Sequence, residues 1–406
     1  MFKETKMTNL KNIALSAAVI AAMTGCGDTT VNQSPSSVTI TGDTIGDTTT
    51  GITPDAGDDT TQVTGCPVPT STKTLPLDIT VDTDLTADTL WLLSGLVVVK
   101  DGATLTIDPC TTIAGMSGTA DATSYMIVDK GAQIIADGTE EEPIVFTSAE
   151  VALNGGSPEE GQWGGITIIG HAGNDQTTAP YEVNSDFVSD DTNLADNSGV
   201  LRHVKIFNSG ITMAEDKEIN GLSLIGVGSG TTIEDITVDL SDDDGIEIWG
   251  GTVNLTNVTI TRCTDDYFDI DDGYSGTVKN LVINTTIGNA GIEMSGDTAA
   301  TFDGFSITTG ATQAKEGAIF FKKDGIGGHF KNGTIIHNGG QLQADGAIHS
   351  QQEADIANVS FENISITAPN DLQFTDYWDS VNSVYDGTSA ELKAVYIADS
   401  SNTLSN

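Results

Sequence analysis

Basic residues are scarce in this 406-residue chain: 16 Lys and Arg stand against 58 Asp and Glu, for a formal charge of −42. So negative a surface repels nucleic acid and attracts divalent cations or cationic partners. Nucleic acid is thereby excluded as a partner. Only four cysteines occur, none at a zinc-type Cys/His spacing, which excludes a structural zinc site. The apolar run near the start, Ile13 to Met23, has 11 residues, too few to cross a bilayer. No Ser-His-Asp or Cys-His constellation is evident, nor a Gly-rich phosphate loop opening a helix. Proline is rare inside the apolar runs, and no long stretch repeats at helical period. What is present is 38% apolar residues, recurring at strand period from about Leu75 onward, so the chain as a whole is not disordered.

The N-terminus reads as an export signal. Lys3, Lys6 and Lys11 precede the short apolar run, and Met23-Thr24-Gly25-Cys26 follows it. These four residues resemble the bacterial lipobox, with Met where Leu is usual. The resemblance implies removal of residues 1–25 and lipidation of Cys26. The alternative is an ordinary signal peptide with a coincidental cysteine. Gly27, rather than Asp, after the cysteine implies a lipid anchor at the bacterial outer membrane or cell surface. Residues 26–74 are rich in Thr, Asp and Gly and have little to bury, so they read as a disordered tether.

Export to an oxidising compartment permits a disulfide. Cys66 lies where the tether ends and Cys110 where the first apolar block closes, and a bridge between them would staple the N-terminal edge. Two unpaired buried thiols are the alternative. Cys263, among apolar neighbours, reads as a packed thiol.

From there the chain repeats. Asp243-Asp244-Gly245-Ile246-Glu247-Ile248, Asp265-Asp266-Tyr267-Phe268-Asp269-Ile270 and Asn289-Ala290-Gly291-Ile292-Glu293-Met294 sit 22 and 24 residues apart. A second column places Asp235, Asn257, Asn280 and Asn358 between apolar residues, with His203, Gly304 and Asn332 in looser copies. These residue types tolerate tight or left-handed corners between short strands. The period predicts an all-β, right-handed parallel β-helix of about a dozen coils over residues 75–385, closed by a cap or tail at 386–406. The polar stretch Ala172 to Gly199, with Asp186, Asp190, Asp191 and Asp196, reads as a loop thrown out from the rod.

Several segments are similar to a group of bacterial lipobox-bearing secreted β-helix lipoproteins of unassigned activity. They are Leu93-Ser94-Gly95, Lys100 to Ile107, Glu142 to Ser148, Gln162 to Ile166, Glu218 to Leu222, Val227 to Thr231, and Asp271-Asp272-Gly273-Tyr274, spread over residues 85–300. The resemblance implies fold and location, and no reaction.

Period-two alternation turns Glu247, Asp269 and Glu293 away from the core, stacked at about 4.8 Å on an exposed face. Asp244, Asp266 and Asp271 flank them at the corners, and Ile319 and Ile348 take the matching position in later coils. Three readings follow. The first is a calcium site built from Asp244, Glu247, Asp266, Asp269, Asp271 and Glu293, since a hard cation takes six to eight oxygens. The second is carbohydrate chemistry: Asp243-Asp244-Gly245-Ile246 resembles a segment of β-helix glycosidases that cleave uronic polymers. Asp244, Glu247, Asp266 and Asp269 are then the catalytic candidates. That family's basic partner motifs are missing, and lyases of the fold would call on Arg262 or Lys279. The third is a surface adhesin or scaffold. Taken together, the expectation is a surface-anchored acidic lipoprotein that binds divalent cations and a glycan or cationic surface protein. A polysaccharide lyase or glycoside hydrolase on uronic polymers is the alternative.

Overall fold

A computed structural model describes residues 65–406 apart from 174–180, 215–216, 286, 310–315, 323–325, 339–345, 352–355, 357, 370–372, 377, 380–383, 386–389 and 406. Cys26, the signal segment and most of the tether lie outside the described residues. Two long parallel sheets, of 15 and 11 strands, are wound from successive coils. Each strand pairs with the strand one coil away, as Ile236, Val258, Leu281 and Phe305 do in one continuous register. This is a parallel β-helix. The stack begins inside the stretch read as tether, because Ser71–Thr74 pairs with Thr89–Leu92. It also extends beyond 385: Thr403–Ser405 pairs with Ser365–Thr367. Between them, helix Ala390–Ile397 buries Leu392 and Tyr396 against the last coil.

The long strands of the first sheet bend where one residue adopts positive φ: His203 (48°), Asp235 (55°), Asn257 (58°), Asn280 (54°), Gly304 (78°), Asn332 (57°) and Asn363 (54°). Asn and Asp accept this conformation because a short polar side chain can bond locally. Here the amides bond up the stack instead: Asn257 Nδ2 donates to Asp235 Oδ1 (2.8 Å) and Asn280 Nδ2 to Asn257 Oδ1 (2.9 Å). Asn363 donates likewise to Asn332 (2.9 Å). Asn358, placed in this column from the sequence, instead pairs with Gly327 at the start of its strand. The coil that contains it is longer, so the pattern match fell five residues early.

Inside the bend runs one apolar core, including Ile246, Ile248, Phe268, Ile270, Ile292 and Met294 from the second sheet. In its C-terminal half phenylalanines stack from coil to coil, with Phe302 and Phe330 centroids 5.0 Å apart and Phe330 and Phe361 5.3 Å apart. Gly245 is required by close approach: a Cβ there would lie 2.4 Å from Ile260 Cγ2 and 2.7 Å from the Tyr267 carbonyl. Trp163 fills the core, and its Nε1 donates to the Phe207 carbonyl at 2.8 Å.

At the N-terminal edge Cys66 and Cys110 form a disulfide, with Cα atoms 5.3 Å apart. Cys263 is a free, buried thiol. In the polar stretch after Ala172, residues 181–199 stay on the rod. Tyr181 and Phe187 pack on Val98, Ile127, Ile169 and Ile225, on the outer side of the second sheet. Asp190 pins the loop through His171 (2.9 Å) and Lys130 (3.1 Å).

Candidate functional site

The second sheet sets Ser223, Glu247, Asp269 and Glu293 at directly paired positions on adjacent strands. Their neighbours Ile246, Ile248, Phe268, Ile270, Ile292 and Met294 enter the core, so alternation turns the acids to the opposite face. That face is not open to solvent: Asp269 is 8% exposed and Glu293 2%. The ladder read from the sequence as exposed is therefore buried at Asp269 and Glu293 and half-buried at Glu247. The column continues into Phe320 and His349, whose rings stack at 5.0 Å. Ile319 and Ile348, expected there, extend the Ile292 core column instead. The error was one residue, and one residue changes the face of a strand.

The turns preceding these strands bring further acids. Asp244 Oδ1 accepts the Asp266 amide (2.8 Å), and Asp266 Oδ1 accepts the Ala290 amide (2.6 Å). Each thus ties its own turn to the next coil with one oxygen. Asp265 receives the Asn289 side-chain amide, and Glu247 that of Asn220. Three groups result, each with ligand atoms within 4.8 Å of one another: Asp243, Asp244 and Asp265; Asp244, Glu247 and Asp269; Asp266, Glu293 and Glu316. Lys322 Nζ lies 2.6 Å from Glu293 Oε1.

Burial and like charge push five of these carboxyls up. Burial is the larger cause throughout, taking Asp243 to about 8 with the help of Asp265. Asp244 is raised well above the carboxylate range by burial and Asp243, and Glu247 by burial and Asp244. Asp266 and Asp269 are raised by burial and Glu293. Burial works against the Lys322 charge, but Glu293 holds the ammonium protonated. A dry set of carboxyls shares protons unless a cation replaces them. Two oxygens in the set, Asp269 Oδ1 and Glu293 Oε2, are buried without a hydrogen-bond partner. Buried carboxylate oxygens with no partner are the donors that a hard cation accepts.

Of the six predicted ligands, five enter these groups and Asp271 does not; its Oδ1 accepts the Asp272 amide at 2.7 Å. Arg262 is turned away, paired with Asp239, and Lys279 is exposed on a strand of the first sheet. Among the described residues the basic one at the site is Lys322, which the sequence reading missed. Asp243, Asp265 and Glu316 were missed as well. Their signal was available: Ile292 pairs with Ile319, so Glu316-Gly317-Ala318-Ile319 repeats the coil start with an acid in its first place.

Residues 77–403 match the family described as Pectate-lyase like beta helix domain. The chain belongs to that family. Among solved structures this pectate-lyase-like β-helix is similar to the full-length tailspike protein 2 of Escherichia coli O157:H7 bacteriophage CAB120. Identity is 14% and the TM-score 0.24, over 68% of this chain and 34% of the tailspike. It is also similar to pectate lyase Pel9A, with 12% identity and a TM-score of 0.27 over 66% of this chain and 72% of the lyase. The Dettilon tailspike protein gives 11% identity and a TM-score of 0.20, over 69% and 61% of the two chains. The chain thus spans about a third of the first tailspike's length. No curated protein matches it.

Proposed function

We propose that this β-helix is a cell-surface lipoprotein whose Asp244, Glu247 and Asp269 bind a divalent cation of the calcium class, through which it engages an acidic glycan or a surface partner. The observation that carries the reading is Asp269 Oδ1, buried without a partner among three carboxylates within 4.8 Å of one another. Its physical sense is charge. A chain at −42 repels a polyanion, and a bound divalent cation gives a uronate carboxylate something to coordinate. The family's pectate-lyase-like description supports a polysaccharide as the class of ligand. Lipidation of Cys26 at the outer membrane or cell surface belongs to the same proposal.

The test is a calorimetric calcium titration, with a melting curve at each metal level. Saturable binding with a melting point that rises with metal is the expected result, about 2.7 kcal/mol of stabilisation at a hundred times Kd. No saturable binding overturns the reading. Retention on a uronic polymer with calcium, and release by chelator, then tests the glycan.

Lys322 beside the carboxylates is the observation that favours a second reading, a polysaccharide lyase or glycoside hydrolase acting on uronic polymers. Release of unsaturated or reducing ends, lost in Glu247→Gln and Asp269→Asn, would establish it.

A further inference from the structure

A second groove lies on the first sheet, whereas the acids stand on the second. Past the bend, Ile260, Ile283 and Ile307 enter the core, so the residues before them turn outward. Strand register stacks Thr237, Thr259, Val282, Ser306, Thr334 and Ser365 in one outward column that runs on to Thr403. The corner residues Asn257, Asn280, Asn332 and Asn363 form a parallel column, and all four are exposed. Two cavities lie along these columns. One, of about 400 Å³, ends at Asn280 and Val282; the other, of about 280 Å³, runs from Asn332 and Thr334 to Thr403. Gly304, which has no side chain, takes the corner between them, so the two cavities are steps of one groove along the stack. We propose that this groove binds an uncharged polysaccharide chain laid along the stack, without a metal ion. No carboxylate of the ladder takes part, so the inference is independent of the cation reading.

Charge, hydrogen bonding and period each narrow the occupant. In a chain at −42, neither column carries a charged residue from Asn257 to Thr403. The charged residues of the larger cavity, Glu140, His203, Lys205 and Asp235, are two acids and two bases at its N-terminal end. Such a lining selects a neutral ligand. Hydroxyls both donate and accept, and so do amides, which suits a ligand made of hydroxyl groups. The amides are also held in place. Asn280 donates to Asn257 at 2.9 Å, Asn332 to Asp303 at 2.8 Å and Asn363 to Asn332 at 2.9 Å, and each Nδ2 keeps a second hydrogen. The groups recur once per coil, at about 4.8 Å, close to the length of one sugar ring. An extended peptide advances about 3.3 Å per residue and falls out of step with that repeat. It would also want an open strand edge, and these strands are paired on both sides. A second copy of the chain brings the same negative charge and is repelled. No Trp, Tyr or Phe lines either cavity among the described residues, so each ring adds little and affinity builds with length.

The experiment is calorimetric titration of the whole chain, in chelator, with cello-, xylo- and malto-oligosaccharides from dimer to octamer. At least one series is expected to bind, with affinity rising at least about 10-fold from dimer to octamer as each added ring meets another coil. Val282 and Thr334 are exposed, one in each cavity. Val282→Arg and Thr334→Arg are each expected to weaken the octamer at least about 10-fold, because a long side chain then lies across its path. Should either variant fail to fold, hydrogen exchange of the wild type with the octamer reads the site instead. Protection is expected in the strands Thr277–Thr285 and Gly327–His337, and protection confined to other strands overturns the assignment. The inference is also overturned by no binding in any series, by equal affinity for dimer and octamer, or by unchanged affinity in both variants. Binding that needs calcium overturns it too, and assigns the glycan to the acid ladder.

Discussion

Asp269 and Glu293 stand opposite one another on hydrogen-bonded parallel strands, the first 8% exposed and the second 2%. Strand spacing puts the two side-chain origins about 4.8 Å apart. Burial, and then the Glu293 carboxylate beside it, raise the cost of charging Asp269. In the absence of metal, Asp269→Asn is therefore expected to stabilise the fold, by about 1–2 kcal/mol. In saturating calcium the same substitution should abolish the metal-dependent rise in melting temperature. Paired melting curves in chelator and in calcium check both signs.

Stability should depend on pH in a way that identifies the buried acids. A carboxyl whose folded-state value is raised binds extra proton on folding, so its contribution is present at acid pH and lost as pH rises through the folded value. For Asp243 the window runs from 3.8 to about 8. His349 acts oppositely: burial lowers it from 6.5 to about 4, so its contribution is lost as pH falls through that interval. Below 6.5 the two offset; above it only the acids act. Urea melts in chelator are expected to show a loss of about 1–2 kcal/mol between pH 6.5 and 8.

Gly245→Ala tests the coil packing behind the site. Its methyl group would press on Ile260 and on the Tyr267 carbonyl, and neither is the free end of a flexible side chain. A loss of about 1–3 kcal/mol in chemical denaturation is expected, independent of calcium.

Replacing Cys66 and Cys110 by Ala opens a loop of sequence separation 44 at the N-terminal edge. The expected cost is about 2–4 kcal/mol, seen as a lower melting temperature, with calcium stoichiometry unchanged because the site lies many coils away. Reductant should reproduce the shift in the wild type and leave the Ala variant where it is.

The anchor is tested by Cys26→Ala. Lipidation adds about 0.8 kcal/mol of membrane affinity per buried methylene, so its loss is expected to move the protein from the membrane fraction to the soluble one. Unchanged fractionation would sink the lipid-anchor reading.

Much of this was legible from residues alone between about 230 and 300. Coil lengths of 22 and 24 hardly vary there, so the acids, the Asn corners and the core isoleucines could be aligned by counting. Beyond 300 the coils lengthen, and counting slipped by one residue at Ile319 and by five at Asn358. Lys322 carried no periodic signal. It follows the Phe320-Phe321 pair in the coil after Glu293 and reaches the acids only because the coils stack.

By itself the sequence determined that the chain winds into a parallel β-helix and that Glu247, Asp269 and Glu293 share one column, because both depend on local alternation and on a repeat that can be counted. Tertiary structure decided that this column is buried at Asp269 and Glu293, that Asp243, Asp265 and Glu316 gather beside it, and that a lysine meets Glu293. Burial and the lysine contact arise from stacking between different coils, and the coil after Glu293 is longer, so Lys322 has no fixed spacing in the sequence from which to count.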